Sequence, residues 1–184
     1  MWIHGYVFWV LFKMTYQSLP CIQTLEKHFK VCSQPTSGLI WLLPTSNRVQ
    51  INTEAGTKDV SNGYWKIRFM SKQYYCHRIV YYLHNKIDPK DFDIDHIDQD
   101  KSNNNPLNLR LATRSQNSAN RKININNTSG HKGVCWVKTK NKWIAQITCD
   151  NKHFSLGYFS TKEEAVIEYN KEAAKLFKKY VSIN

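Results

Sequence analysis

A carboxylate, an imidazole and two amides lie within one short stretch near the middle of the chain. Asp95 and His96 are adjacent, and Asn108 and Asn117 follow that histidine after 12 and 21 residues. Hard divalent cations prefer oxygen ligands and keep waters that a phosphate can displace. An imidazole titrates near neutral pH and can take a proton from water. The pattern therefore predicts a partial metal site on Asp95 and Asn117, with His96 as a base.

Residue spacing also predicts the elements that position these side chains. Asp95 and His96 lie on an extended segment, so their side chains point to opposite faces unless the backbone bends there. Thr113 and Gln116 form a capping-box pattern that opens a helix, and Asn117 follows in its first turns, facing back toward the strands. Apolar residues alternate on both sides of a polar loop, at Phe92, Ile94, Ile97, Leu107, Leu109 and Leu111. The predicted order is strand, long loop, strand, helix.

This stretch resembles the HNH endonuclease motif, in the subgroup of phage and intron-encoded homing-type nucleases. The resemblance rests on D-H-I-D beginning at Asp95, the Asn-rich loop after it, N-L-R beginning at Asn108, and the helix that contains Asn117. It implies a ββα-metal finger, residues 92–121, in which Asp95 and Asn117 hold one Mg²⁺ or Mn²⁺ and His96 activates the attacking water. Asn108 would brace the loop that positions His96.

The chain departs from this subgroup inside the loop. Family members often have Gly-Asn where this chain has Gln99-Asp100. We expect this difference to change the loop without affecting the metal ligands. The alternative is a degenerate finger that keeps the fold only as a DNA-binding scaffold.

The segment before the finger, residues 19–82, has a strand-like pattern with turn signals such as Asn62-Gly63, and a short helix is predicted from Arg78. G-Y-x-x-I and K-x-Y-x-x-H-R in this segment resemble the same nuclease subgroup, which implies that His77 and Arg78 lie near the active site. One of them would polarise the scissile phosphate. The alternatives are a His77 hydrogen-bonded into the core and an Arg78 that only contacts a backbone phosphate.

The sequence after the finger indicates a second module. Arg121 and Lys122 follow the predicted helix and are placed to contact phosphates, and an Asn-rich linker indicates a boundary near Asn127. Three strands are predicted within residues 133–138, 142–148 and 153–159, and a capping box then opens a helix at Thr161. The predicted unit is three antiparallel strands under one helix.

Residues 129–184 resemble the AP2 DNA-binding domain in its phage and homing-endonuclease form, because S-G-x-x-G-V-x-W, K-W-x-A-x-I and L-G-x-F-x-T-x-E-E-A occur in that order. The resemblance implies that the sheet lies in the DNA major groove. Strand alternation directs Gln146 and Thr148 outward. Cys135 and Val137 stand where plant members carry arginines, so a plant-like target is not implied. Four lysines are expected phosphate contacts: Lys132, Lys138, Lys140 and Lys142.

The composition indicates a polyanionic partner. The 184 residues include 26 Lys and Arg against 14 Asp and Glu, which gives a formal net charge of +12 and a pI near 9.5. Such a basic surface is typical of nucleic-acid binders. A membrane is disfavoured because the aromatic residues are dispersed through strand-like segments instead of lining one basic amphipathic helix.

The cysteines and the N-terminus indicate the compartment. Five cysteines lie far apart without a C-x-x-C pair, which argues against zinc and disulfides and favours a reducing environment: Cys21, Cys32, Cys76, Cys135 and Cys149. The apolar N-terminus is too short to span a bilayer and lacks signal-peptide features. We interpret residues 1–18 as a dispensable extension or an added strand, with translation from Met14 as another possibility. The expected location is the cytoplasm or the host-cell interior, not outside the cell.

These patterns predict an α+β protein with an HNH endonuclease domain, residues 19–127, and an AP2-like DNA-binding domain, residues 128–184. The predicted activity is hydrolysis of phosphodiester bonds in double-stranded DNA by a monomer, with one Mg²⁺ or Mn²⁺ and no small-molecule cofactor. Truncation after Asn127 is predicted to leave a weaker nuclease with relaxed sequence preference. The alternative is a non-catalytic, sequence-specific DNA-binding protein. An RNA-directed or toxin-type nuclease is disfavoured because it would not need the appended module.

Overall fold

A computed structural model describes residues 16–34 and 36–181. Within these ranges the chain is α+β, with four α-helices and four small antiparallel sheets. The elements of the first half are α1 (Ile22–His28), β1 (Phe29–Val31), β2 (Leu39–Trp41), β3 (Thr57–Lys58), β4 (Trp65–Phe69), β5 (Lys72–Tyr75) and α2 (Cys76–Asn85). Those of the second half are β6 (Asp93–His96), β7 (Leu109–Ala112), α3 (Arg114–Asn120), β8 (Val134–Val137), β9 (Lys142–Cys149), β10 (Lys152–Phe159) and α4 (Lys162–Phe177). Short 3₁₀ turns add Pro106–Asn108, Lys138–Lys140 and Lys178–Tyr180.

The first half surrounds one apolar core. α2 contributes several of its fully buried side chains, including Ile79 and Val80, and packs with α1, the β1–β2 hairpin and the β3–β4–β5 sheet. The helix ends at Lys86, which takes a left-handed conformation with φ of 59°. This core is the support on which β6 is placed, because Ile94 and Leu109 also belong to it.

The strand-like interpretation of residues 19–82 is wrong for residues 22–28, which form the helix α1. Ile22 and Leu25 are three residues apart and lie on one face of α1, and Phe29, the first residue of β1, follows Leu25 by four residues. Leu25 and Phe29 are buried in the core, and Ile22 packs against it. The helical spacing was present in the sequence, but the neighbouring alternation obscured it. The helix α2 also begins earlier than predicted, so that His77 and Arg78 both lie in its first turn.

The predicted order of strand, long loop, strand and helix is observed. β6 and β7 are antiparallel, with Asp95 directly opposite Arg110. Thr113 caps α3 as expected, since its side chain accepts from the backbone N–H of Gln116 while the Gln116 side chain accepts from the Thr113 N–H. The finger is therefore a strand pair with one helix packed against it.

The C-terminal half of the chain contains the predicted three-stranded sheet, in the order β10-β9-β8, with α4 on one face. Ala145 and Ile147 are buried beneath α4, while Thr148 is exposed on the other face. Gly133 allows the sheet and helix to approach, because a Cβ at this residue, whose φ is +65°, would lie 2.3 Å from the Gln146 carbonyl oxygen and from the Tyr169 ring. Thr161 and Glu164 form the predicted capping box.

The two predicted domains are in direct contact. Ala119 of α3 shares a small core with Ile147, Ala173 and Phe177 of the C-terminal module. The Ser115 hydroxyl also accepts from the backbone N–H of Asp150 at 2.7 Å. The finger helix is thus covered by the module that follows it.

The predicted N-terminal extension, residues 1–18, lies mostly outside the described residues. Its described part begins at Tyr16, whose hydroxyl donates to Asp93 Oδ1 at 2.6 Å and whose ring lies 4.0 Å from the Arg78 guanidinium. Tyr16 is therefore packed onto the finger. No helix in the described part of the chain is both long and apolar enough to cross a bilayer.

Candidate active site

A cavity of about 540 Å³ opens at the end of β6. Its lining combines acidic, imidazole, amide, aromatic and cationic side chains: Tyr64, Ile94, Asp95, His96, Gln99, Lys101, Asn117, Asn120, Arg121 and Lys122. Asp95 and His96 are only 3% and 5% exposed. The candidate base and the candidate ligands thus meet in one pocket, which three cations surround.

His96 is held by an asparagine that sequence reasoning did not single out. Asn104 is fully buried, and its Oδ1 lies 3.0 Å from His96 Nε2 while its Nδ2 donates to the Ser37 carbonyl at 3.0 Å. Because the amide nitrogen is committed to Ser37, the amide oxygen must accept from His96, and Nε2 therefore carries the proton. This leaves Nδ1 unprotonated, with no hydrogen-bond partner among the described residues.

The contact between Asn104 and residues 36–38 depends on a glycine. Gly38 has a φ of +76°, and a Cβ there would lie 2.6 Å from the Asn104 carbonyl oxygen. Only a residue without a side chain permits this close approach. The loop after β6 is in this way fixed to a segment far away in the sequence.

The environment of His96 favours its neutral form. Burial lowers the pKa of His96, although the Asn104 hydrogen bond and the charges of Asp98, Asp95 and Asp100 oppose that shift. A neutral imidazole with a bare Nδ1 is the form that can accept a proton. The ring lies in an aromatic group, 5.2 Å from His77 and 6.0 Å from Tyr64 between ring centroids.

Asp95 is oriented by two side chains. Arg110 donates to Asp95 Oδ2 from Nε at 2.8 Å and from Nη2 at 2.8 Å. Asn120 donates from Nδ2 to Asp95 Oδ1 at 2.9 Å and to the His96 carbonyl at 2.8 Å. An ionised carboxylate has about four acceptor positions, so three are used and one remains on Oδ1.

Asn120, and not Asn117, lies against Asp95. Asn117 instead donates to Asp93 Oδ2 at 2.8 Å, although it also lines the cavity. Asp93 and Asp95 lie on one face of β6 about 7 Å apart along the strand, whereas Asn117 and Asn120 are separated by about 4.5 Å along α3. The helix follows the strand, so its first turns meet Asp93 and its last turn meets Asp95. The amide hydrogen-bonded to Asp95 is therefore that of Asn120. The role of Asn117, which also lines the cavity, as a metal ligand stays a prediction.

The donor chemistry of this group fits one hard cation. Asp95 Oδ1 keeps an acceptor position. Both amide hydrogens of Asn120 are used, and its Oδ1 accepts no hydrogen bond from the described residues. Carboxylate and amide oxygens with room for waters suit Mg²⁺ or Mn²⁺. No cluster of three or more His, Cys, Asp or Glu suited to a metal occurs in residues 16–34 and 36–181. All five cysteines are free thiols.

Asn108 lies at the base of the loop between β6 and β7. It donates to Asp98 Oδ1 and to the Asn103 carbonyl, both at 2.9 Å, and accepts from the backbone N–H of Asp98 at 3.0 Å. Asn103 in turn donates to Asp98 Oδ2 at 2.6 Å. Asn108 therefore has contacts through which it can brace the loop, while the direct partner of His96 is Asn104.

His77 and Arg78 differ in their relation to the cavity. His77 is buried between the Tyr75 and His96 rings. Its Nδ1 has no hydrogen-bond partner among the described residues, and burial holds the pKa of His77 well below the ordinary value. Arg78 donates to the carbonyls of Phe92 at 2.7 Å and of Lys90, and it does not line the cavity. The geometry of Arg78 therefore does not indicate the predicted phosphate contact. Its guanidinium supports the loop before β6 instead.

The predicted phosphate contacts fall into three groups. Arg121 and Lys122 line the cavity, and Lys101 joins them. Lys132 instead donates to the Ala119 carbonyl at 2.9 Å, and burial lowers its pKa. This lysine therefore connects α3 to the C-terminal module. The third group lies on or beside the sheet face opposite α4: Lys138, Lys140, Lys142, Gln146 and Thr148.

Sequence reasoning missed five residues of this site: Tyr64, Lys101, Asn104, Arg110 and Asn120. Asn104 is one of three consecutive asparagines, and nothing local distinguishes it. Asn120 follows Asn117 by three residues and thus shares its helix face. Helical spacing alone would therefore have indicated both asparagines as candidate site residues. Arg110 could have been found from the strand pairing, since it is opposite Asp95.

Part of the chain is similar to a known protein family. Residues 74–119 match a family model described as HNH endonuclease. The matched segment contains α2, both strands of the finger and most of α3, so this part of the chain is similar to HNH endonucleases. The resemblance to HNH endonucleases is confirmed for this segment.

Two viral proteins are similar to parts of the chain. "Protein 3.8" of Escherichia phage T7 is 44% identical over 64 residues, which cover 35% of this chain and 53% of its own length. "Uncharacterized HNH endonuclease L560" of Acanthamoeba polyphaga mimivirus is 36% identical over 110 residues, 59% of this chain and 56% of its own length. The chain thus spans about half the length of these relatives. No solved structure matches it significantly.

Proposed function

We propose that the protein is a metal-dependent DNA endonuclease of homing type, which hydrolyses phosphodiester bonds and binds double-stranded DNA through its C-terminal module. The observation that carries the proposal is the cavity in which a neutral His96, the Asp95 carboxylate and the Asn120 amide meet beneath three cations. The match of residues 74–119 to HNH endonucleases supports the same chemistry.

His96 is the base in the proposed reaction. Its Nε2–H is fixed by Asn104, so Nδ1 takes a proton from a water in the cavity. The resulting hydroxide attacks phosphorus, and the bond to the leaving 3′-oxygen breaks. Asn104 has the role of an orienting residue, since it holds the ring and its tautomer without touching the phosphate.

Asp95 and Asn120 are the proposed metal ligands, and the ion would neutralise charge that develops on the phosphate and the leaving oxygen. Arg121, Lys122 and Lys101 attract the DNA backbone to the cavity. The net charge of +12 favours association with DNA in the same way.

The exposed sheet face of the C-terminal module is the proposed DNA-reading surface, as in AP2-type domains. Gln146 and Thr148 lie on the side of the sheet away from α4, and Lys138 and Lys142 flank them. A short antiparallel sheet fits the major groove, where the four base pairs can be distinguished. Polar side chains on the strands would contact base edges, and the lysines would contact phosphates.

A cleavage assay tests the proposal. Purified full-length protein is incubated with plasmid or phage DNA in Mg²⁺, in Mn²⁺ and in EDTA. We expect cleavage only with the metals, and a loss of roughly 10²- to 10⁴-fold in the His96→Ala protein with DNA binding nearly intact. Undiminished cleavage by pure His96→Ala would refute the base assignment. DNA binding without cleavage under any metal would favour the alternative, a sequence-specific DNA-binding protein with an inactive finger.

A further inference from the structure

We infer that the C-terminal 3₁₀ turn, Lys178–Tyr180, is part of the active site, because it holds Arg110 in the position from which Arg110 orients Asp95. Arg110 is a positioning residue for the reaction, and the inference rests on the proposed nuclease function. It gives the C-terminal module a second role besides DNA binding, since the nuclease site is complete only when this module is docked.

Arg110 is paired with Asp95. The two residues face each other across β6 and β7, and both contacts of the guanidinium go to one carboxylate oxygen, Oδ2. The Asp95 side chain is 4% exposed and that of Arg110 is 14% exposed. Hydrogen bonds between ionised partners in such a buried place are strong and directional. They hold Oδ2 in place and leave Oδ1 with Asn120 as its hydrogen-bond partner.

Arg110 also contacts the C-terminal turn. Arg110 Nη1 donates to the Lys179 carbonyl at 2.6 Å, and the guanidinium carbon lies 4.4 Å from the centre of the Tyr180 ring. The Tyr180 hydroxyl donates to the Leu111 carbonyl at 2.7 Å, next to Arg110 in β7. The planar guanidinium is thus fixed by three partners: a carboxylate, a carbonyl and an aromatic face. Arginine can satisfy all three at once, whereas a lysine ammonium cannot.

The C-terminal module also supports Asn120, the other hydrogen-bond partner of Asp95. Ala119, the preceding residue, packs against Ala173 and Phe177 of α4. Lys132 donates to the Ala119 carbonyl at 2.9 Å. Both side chains that orient Asp95 therefore depend on the C-terminal module, through two separate sets of contacts.

These contacts change the expected result of truncation. The sequence predicts that removal of everything after Asn127 leaves a working nuclease with relaxed preference. The geometry indicates instead that Arg110 would lose its contacts to Lys179 and Tyr180 and that Ala119 would lose its cover. We expect the truncated protein to bind the metal poorly and to cut slowly on any sequence.

Point variants of the full chain test the inference. Arg110→Lys keeps the charge beside Asp95 and removes the planar fork, so a change in metal affinity reports positioning and not Coulomb attraction. Tyr180→Ala removes the ring from the guanidinium, and Tyr180→Phe removes only the hydroxyl bond to Leu111. Mn²⁺ binding is measured by calorimetry on DNA-free protein, and cleavage is measured at saturating Mn²⁺. Circular dichroism shows that each variant is folded.

We expect Arg110→Lys and Tyr180→Ala to weaken Mn²⁺ binding by about 10- to 100-fold, the usual cost of losing a side chain that orients a metal ligand. Tyr180→Phe should retain most of the affinity. The matched control is Tyr158→Ala, because Tyr158 lies in the same module with the Lys140 ammonium 3.8 Å from its ring centre and has no contact with Asp95 or Arg110. Its Mn²⁺ affinity should equal that of the wild type.

The outcomes separate this inference from the proposed function. If folded Arg110→Lys and Tyr180→Ala bind Mn²⁺ within twofold of the wild type, the inference is wrong even where the wild type cuts DNA. If these variants lose Mn²⁺ affinity while the wild type binds Mn²⁺ and cuts no DNA, the nuclease proposal fails and the positioning role of Arg110 stands.

Discussion

Asn104 gives the sharpest test of how the base is held. The side chain is fully buried and joins two groups, His96 Nε2–H and the Ser37 carbonyl. Asn104→Ala removes both hydrogen bonds and leaves both partners buried. Each buried partner left unpaired costs about 1 to 3 kcal/mol, so we expect the free energy of unfolding to fall by roughly 2 to 6 kcal/mol.

The same change should affect catalysis separately. Asn104 is the residue that accepts from His96 Nε2–H. Without it, no described residue fixes this tautomer of His96, and the ring can rotate. We expect the cleavage rate at saturating DNA and metal to fall by about 10- to 100-fold, a part of the roughly 10²- to 10⁴-fold that a positioned base contributes. Metal affinity should change little, because Asp95 and Asn120 keep their own contacts.

The assay combines denaturant unfolding with single-turnover cleavage at a temperature where every variant is folded. Asn103→Ala is the matched control: it is the neighbouring asparagine, it is half-buried, and it bonds to Asp98 and not to His96. We expect Asn103→Ala to lose about 1 kcal/mol of stability and to cut within a few-fold of the wild type. If folded Asn104→Ala cuts at the wild-type rate, Asn104 does not orient the base.

Two further predictions follow from the finger. Asn120→Ala should raise the Mg²⁺ concentration needed for half-maximal cleavage by about 10-fold or more, while Asn117→Ala should raise it much less because Asn117 bonds to Asp93; the reverse order in a metal titration would restore Asn117 as the ligand. Gln99→Gly should raise the free energy of unfolding by about 0.5 to 1 kcal/mol, since Gln99 has a φ of 65° that glycine adopts without strain. Lys101→Gly, at a loop position without positive φ, should lower it in the same unfolding experiment.

Gln99 holds a backbone conformation that glycine adopts more readily. Gln99-Asp100 stands where the resembling family often has Gly-Asn, and Gln99 takes the left-handed conformation that favours glycine. The loop keeps its shape despite the substitution because Asn108 and Asn103 bond to Asp98 across it. The strained position is thus held by its neighbours.

The local elements of the finger and of the C-terminal sheet could be predicted from the amino-acid sequence. Apolar alternation gave β6 and β7, and the capping boxes at Thr113 and Thr161 gave the starts of α3 and α4. The adjacent Asp95 and His96 could be assigned because both lie on a short strand with a recognisable motif. These features depend on residues within a few positions of one another, where periodicity and capping act.

The amides that contact Asp95 and His96 could not be predicted from local sequence, because they depend on long-range packing. Asn117 and Asn120 share a helix face, and the register between α3 and β6 alone assigns Asn120 to Asp95. Asn104 becomes the partner of His96 because Ser37, 67 residues away, takes its amide hydrogen. The contact of Arg110 with Lys179 spans 69 residues. Such long-range pairings arise from the packing of whole elements, which leaves no signal in local spacing.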